Sequence, residues 1–94
     1  MKGTNLLKDK ALSKIPKLYT QEYKGEEAVL FVKFIHPDIS WEWYAMEFDG
    51  TDVFFGYVKG FEHELGYFSL SELKESNVVR DKSFKPKTLK EIKS

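Results

Sequence analysis

WEWYAMEFDGTDVFFGYVK, residues 41–59, decides the architecture. Trp41 to Phe48 and Val53 to Lys59 are two strand-length runs rich in aromatic and β-branched residues, with Asp49-Gly50 between them. Glycine accepts the positive φ that a tight connection requires, so the runs are expected to pair antiparallel, residues 44–48 against 53–57. Strand side chains alternate between faces. That alternation places Trp41, Trp43 and Ala45 on one face, with Tyr44, Met46 and Phe48 on the other. It also divides Val53, Phe55 and Tyr57 from Phe54 and Val58, so both faces of the hairpin are aromatic.

Upstream, Ala28 to Ile35 reads as a further strand that stops at Pro37-Asp38. Downstream, Gly60 to Gly66 reads as a loop or bulge, and Tyr67-Phe68 as a short fourth strand. Ser69-Leu70-Ser71-Glu72 has capping-box spacing and opens a short helix. Residues around Val78–Phe84 are expected to add a fifth strand that Pro86 ends, and Thr88 to Glu91 repeats the capping-box spacing before a terminal turn. At the other end, Asn5 to Ile15 is expected to be a helix with Leu7, Ala11, Leu12 and Ile15 along one stripe, closed by Pro16. Residues 17–27 form an irregular link in which Tyr19 and Tyr23 are expected to pack and Gly25 to break the chain. The expected fold is α+β: a small antiparallel sheet of 3–5 strands with an N-terminal helix and short C-terminal helices packed on it. Residues 1–94 are expected to be one domain, frayed at 1–4 and 93–94.

Aromatic residues make up 16% of the 94 positions, enough large side chains to build one core and to exclude intrinsic disorder. No apolar run approaches the ~20 residues that span a bilayer, and no signal-peptide pattern follows the first residues. A soluble, cytoplasmic protein without membrane contact is expected. The absence of cysteine excludes disulfides, thiolate metal sites and a cysteine nucleophile. The net charge of zero is unevenly spread, at +4 over residues 1–24, −8 over 25–79 and +4 over 80–94. This pattern suits either a surface that meets a basic partner or charged ends folded over an acidic sheet.

The candidates for chemistry are sparse. His36 and Asp38 flank Pro37, and His63 lies between Glu62 and Glu64, but neighbours on a strand point apart and a metal site needs at least three converging ligands. Glu47, Asp49, Asp52, Glu62 and Glu64 form either a carboxylate cluster at one sheet edge or a solvated acidic rim. Gly56, Gly60 and Gly66 lie among strands, so they serve bulges or close packing rather than a phosphate loop.

Residues 41–73 resemble a family of small bacterial, plasmid and phage proteins grouped as a domain of unknown function. Its pattern runs W-x-W-Y-A-x-E, D-G, then F-F-G-Y-V-x-G-x-E-x-E-L-G-Y-F-S-L-S-E-L. The resemblance extends to Pro16, Leu18 and Tyr19, to Val32-Lys33-Phe34 and Pro37, and to Arg80-Asp81, Phe84 and Pro86. His36 stands where the pattern often has a small hydroxyl residue. No shared reaction comes with the family; its setting implies an accessory task on mobile elements, such as binding host or defence proteins.

The expected function is therefore a non-enzymatic protein-interaction module with no cofactor and no metal, a monomer or weak dimer. The binding residues are expected to be Trp41, Tyr44, Tyr57, Glu62, Glu64 and Tyr67, with Trp43 in the core and Trp41 the more exposed of the two tryptophans. The alternatives are a nucleic-acid-binding module, which needs the two Lys-rich ends to meet on one face, and a carboxylate-based hydrolase.

Overall fold

The Asp49-Gly50 connection forms as expected. In the structure, a computed structural model that describes residues 10–94, β3 (Glu42–Phe48) and β4 (Val53–Lys59) pair antiparallel from Glu42↔Lys59 to Phe48↔Phe54. Gly50 adopts φ +90°. The Asp49 carboxylate accepts from the amides of Thr51 and Asp52 at 2.8 Å and of Val53 at 3.0 Å, and the Asp49 amide donates to the Val53 carbonyl at 2.9 Å. These bonds hold the Asp49 carboxyl below its ordinary value of 3.8. A depressed carboxylate contributes stability above its unfolded pKa and loses it as pH falls through the lower folded value. Melting temperature should therefore fall as pH drops below about 4, and Asp49→Asn should flatten that slope; an unchanged slope would contradict this role.

One residue of β3 is out of step. Ala45 faces Gly56 and Glu47 faces Phe55, so Met46 is an extra residue, a bulge. The bulge shifts the alternation beyond it: Phe48 joins Ala45 and Phe54 on the first face rather than Tyr44 and Met46 on the second, correcting the simple period-2 reading.

Five further strands complete the architecture. The segment expected as a loop at 60–66 is mostly strand: only residues 60–62 turn, and β5 (His63–Ser69) pairs along all of β4. Its polar and glycine-containing sequence lacks the apolar alternation that marks a half-buried strand, because β5 is an edge. The expected strand over Ala28–Ile35 is split at Phe31 into β1 (Val29–Leu30) and β2 (Val32–Ile35). Strand β2 pairs with β3 and, on its other side, with β6 (Val79–Arg80), giving the order β5-β4-β3-β2-β6. Strand β6 covers only two residues of the expected 78–84, since Asp81 turns the chain by accepting from the Ser83 amide and hydroxyl. β1 pairs instead with β7 (Lys87–Thr88) in a separate two-stranded sheet.

Both faces of the five-stranded sheet are covered. On the first, Val32, Phe34, Ala45, Phe48, Phe54 and Phe68 pack under Leu12, Ile15 and the leucines of α1 (Leu70–Glu75). On the second, Tyr44, Met46 and Tyr57 pack under Ala28, Leu30 and Leu89, the first residue of α2 (Leu89–Lys93). The Ser69 hydroxyl caps α1 by accepting from the Glu72 amide, and Thr88 with Glu91 forms a complete capping box on α2. Lys93 pairs with Glu26 at 2.8 Å, and the Ser94 amide donates to the Lys90 carbonyl.

The N-terminal helix is a correction. Residues 5–9 of the expected span lie outside the described residues, as do residues 1–4, and Lys10–Lys14 is a 3-10 segment rather than α-helix. The Ser13 hydroxyl donates to the Lys10 carbonyl in competition with the backbone, and Pro16 disfavours helical geometry at Ile15. The 17–27 link also differs, for Tyr19 and Tyr23 are 65% and 84% exposed rather than packed. It is anchored through its backbone: the amides of Tyr19 and Gln21 donate to the two oxygens of buried Glu47 at 2.8 and 2.7 Å.

Candidate functional site

Where the first face runs past its covering elements, at the turn between β4 and β5, aromatic side chains reach the surface. Trp43, Val58 and Glu64 lie side by side across β3, β4 and β5. Trp41 precedes β3, and its ring centroid lies 5.8 Å from that of Trp43. The 60–62 turn is closed by the Gly60 amide donating to the Glu62 carbonyl, and at its tip Phe61 is 95% exposed. The Phe61 ring stands nearly perpendicular to Trp41, at 84° and 5.2 Å between centroids.

Gly60 seats the indole. A Cβ there would lie 2.6–2.8 Å from three carbons of the Trp41 six-membered ring, so only glycine lets the ring lie against this turn. The result is a shallow groove of about 270 Å³ lined by Trp41, Val58, Gly60, Phe61, Glu62 and Glu64.

Of the six expected binding residues, the structure brings Trp41, Glu62 and Glu64 together here. Tyr44 and Tyr57 are elsewhere, 3% and 6% exposed in the second core. Tyr44 packs against Phe84, and its hydroxyl donates to Glu42 at 2.6 Å. Burial first, and that bond to Glu42 second, push its hydroxyl above the ordinary value. Tyr67 is exposed on the opposite face of β5, its ring 5.0 Å from Phe55. Its hydroxyl is raised by a hydrogen bond with Tyr19.

The reading from sequence did not place Phe61, Val58 or Gly60 at a binding site, although it assigned Gly60 to bulges or close packing. Once 60–62 is a turn and 63–69 a strand, Phe61 must sit at a tip, so its place follows from β5, which the pattern of HELGYFS does not mark.

The other candidates separate. Glu47, Asp49 and Asp52 lie at one end of β4, Glu62 and Glu64 at the other, so the five carboxylates do not converge. The first three also serve the fold: Glu47 holds the 19–21 backbone, Asp49 the hairpin loop, and Asp52 the start of α1 by accepting from the Ser71 amide at 2.8 Å. The Glu62 and Glu64 side chains have no hydrogen-bond or ion-pair partner among the described residues. His36 accepts from the Asp38 amide through Nδ1, and His63 lies on the second face, 6.4 Å ring to ring from Tyr57. No three His, Asp or Glu side chains among the described residues are grouped as a metal site. Among the described residues, Lys10–Lys14 packs through Leu12 on the first face and α2 through Leu89 on the second. No helix among the described residues is long and apolar enough to cross a membrane. No family model, no curated protein and no solved structure matches the chain.

Proposed function

We propose that the protein is a non-enzymatic protein-interaction module that docks its partner on the Trp41 groove. The observation that carries this reading is the Trp41–Phe61 pair, a half-buried indole against an exposed phenyl ring in a groove that two carboxylates also line. Rigid aromatic rings give much contact area at little entropic cost, and they concentrate binding energy at interface centres. A hydrolase is disfavoured by carboxylates at opposite ends of β4, and a phosphate-binding module by the placement of Lys10–Lys14 and α2 on opposite faces. The mobile-element setting rests on the sequence resemblance alone.

The test separates docking from folding. Trp41→Ala truncates a half-buried ring, and Gly60→Ala drives the same ring from its seat. Each should cost less than about 2 kcal/mol in thermal or urea unfolding. A protein identified by mass spectrometry on the tagged wild-type chain, and lost with both variants, supports the groove as the docking surface. A partner retained by both folded variants, or no partner at all, overturns it.

A further inference from the structure

We infer that the Trp41 groove selects a guanidinium group, the side chain of an arginine presented by a basic partner; this rests on the groove being the docking surface. Three observations converge. The first is size: about 270 Å³ is below the roughly 300–1,000 Å³ of sites that enclose whole small molecules, and suits one long side chain.

The second is charge. Glu62 and Glu64 line the groove with the aromatic rings and pair with no cation among the described residues, whereas the three acidic residues at the other end of β4 are all engaged in the fold. An apolar ligand would desolvate these carboxylates without compensation, and an anion would be repelled.

The third is shape. Trp41 and Phe61 form two walls of the shallow groove at 84°, with Val58, Gly60 and the two carboxylates as the rest of its lining. A compact alkylammonium gains most from an enclosed cage and gives up a strong hydration shell, while a planar guanidinium is more weakly hydrated. The guanidinium stacks on one ring and still presents its edge donors to carboxylates in a shallow site. The geometry therefore favours arginine over lysine.

The test uses the full chain and three capped tripeptides, acetyl-Gly-X-Gly-amide, with X as arginine, lysine or citrulline, the last an uncharged isostere of arginine. Binding is followed by proton–nitrogen NMR at the Trp41 indole and at the amides of Phe61, Glu62 and Glu64. The arginine peptide is expected to shift these signals together and saturably, with affinity at least about tenfold above the citrulline peptide. Glu62→Gln/Glu64→Gln should lose about the same factor without moving the other amide signals. The inference is overturned if citrulline binds as well as arginine, if lysine binds better, or if the shifts ignore the Gln variant. Any of these results with a Trp41-dependent partner still captured removes the arginine preference and leaves the docking surface; loss of Trp41 dependence removes both.

Discussion

Gly56→Ala is expected to be the most damaging single-methyl change in the sheet. A Cβ at position 56 would lie 1.8 Å from the Tyr44 carbonyl oxygen and 2.9 Å from its carbon. Both atoms belong to the backbone of the neighbouring strand, next to the bulge at Met46, so no rotamer change relieves the overlap. Overpacking commonly costs 1–3 kcal/mol, and with a rigid neighbour the loss should reach about 3 kcal/mol or more. At this chain length that lowers the melting temperature by at least about 12 °C. Gly66 is the control, since it pairs with Gly56 and has nothing within 4 Å of an added Cβ. Gly66→Ala should leave the melting temperature unchanged or raise it slightly. Equal melting temperatures for the two variants would refute the account.

Removal of the Glu47 carboxylate should cost as much by a different route. Glu47 is 1% exposed, and its two oxygens take the amides of Tyr19 and Gln21. Gln21, itself 2% exposed, extends the network by donating to the carbonyls of Val29 and Met46 and accepting from the Val29 amide. Glu47→Ala strands two donors in the interior at about 1–3 kcal/mol each, so a loss of about 2–6 kcal/mol in urea unfolding is expected. Glu47→Gln keeps one acceptor oxygen and turns an NH₂ group towards the second amide, so it should fall between wild type and Glu47→Ala. A Glu47→Ala protein within about 1 kcal/mol of wild type would show that the 17–27 link is held by something else.

The parts of this fold that were legible are those where local chemistry decides. Asp49-Gly50 specifies a hairpin whatever surrounds it, and Ser69 and Thr88 cap short helices because their hydroxyls reach amides three residues on. What was not legible depends on neighbours. The polar strand HELGYFS is a strand because β4 offers it a ladder, and Glu47 reads as a surface acid until the chain at 19–21 arrives to use it. The inserted Met46 moved Phe48 across the sheet without any sign in the alternation. Half of the candidate site followed from this. Trp41, Glu62 and Glu64 were found by residue type, but Tyr44 and Tyr57 were claimed by the second core, whose cover comes from far along the chain. Phe61 needed the β4–β5 turn to be known first.

That distant cover also matters while the chain is being made. β3, β4 and β5 are joined by short turns and pair as soon as residues 42–69 are free of the ribosome, whereas β1 waits for β7, with Val29 facing Thr88. Synthesis proceeds at roughly 5–20 residues per second from the N-terminus. Until residues 84–92 have emerged and folded back, the nascent chain carries Tyr44, Met46 and Leu30 without Phe84, Leu89 and Ile92 to shield them. Translation order thus gives the second face a period as an open, sticky surface that the finished molecule never shows.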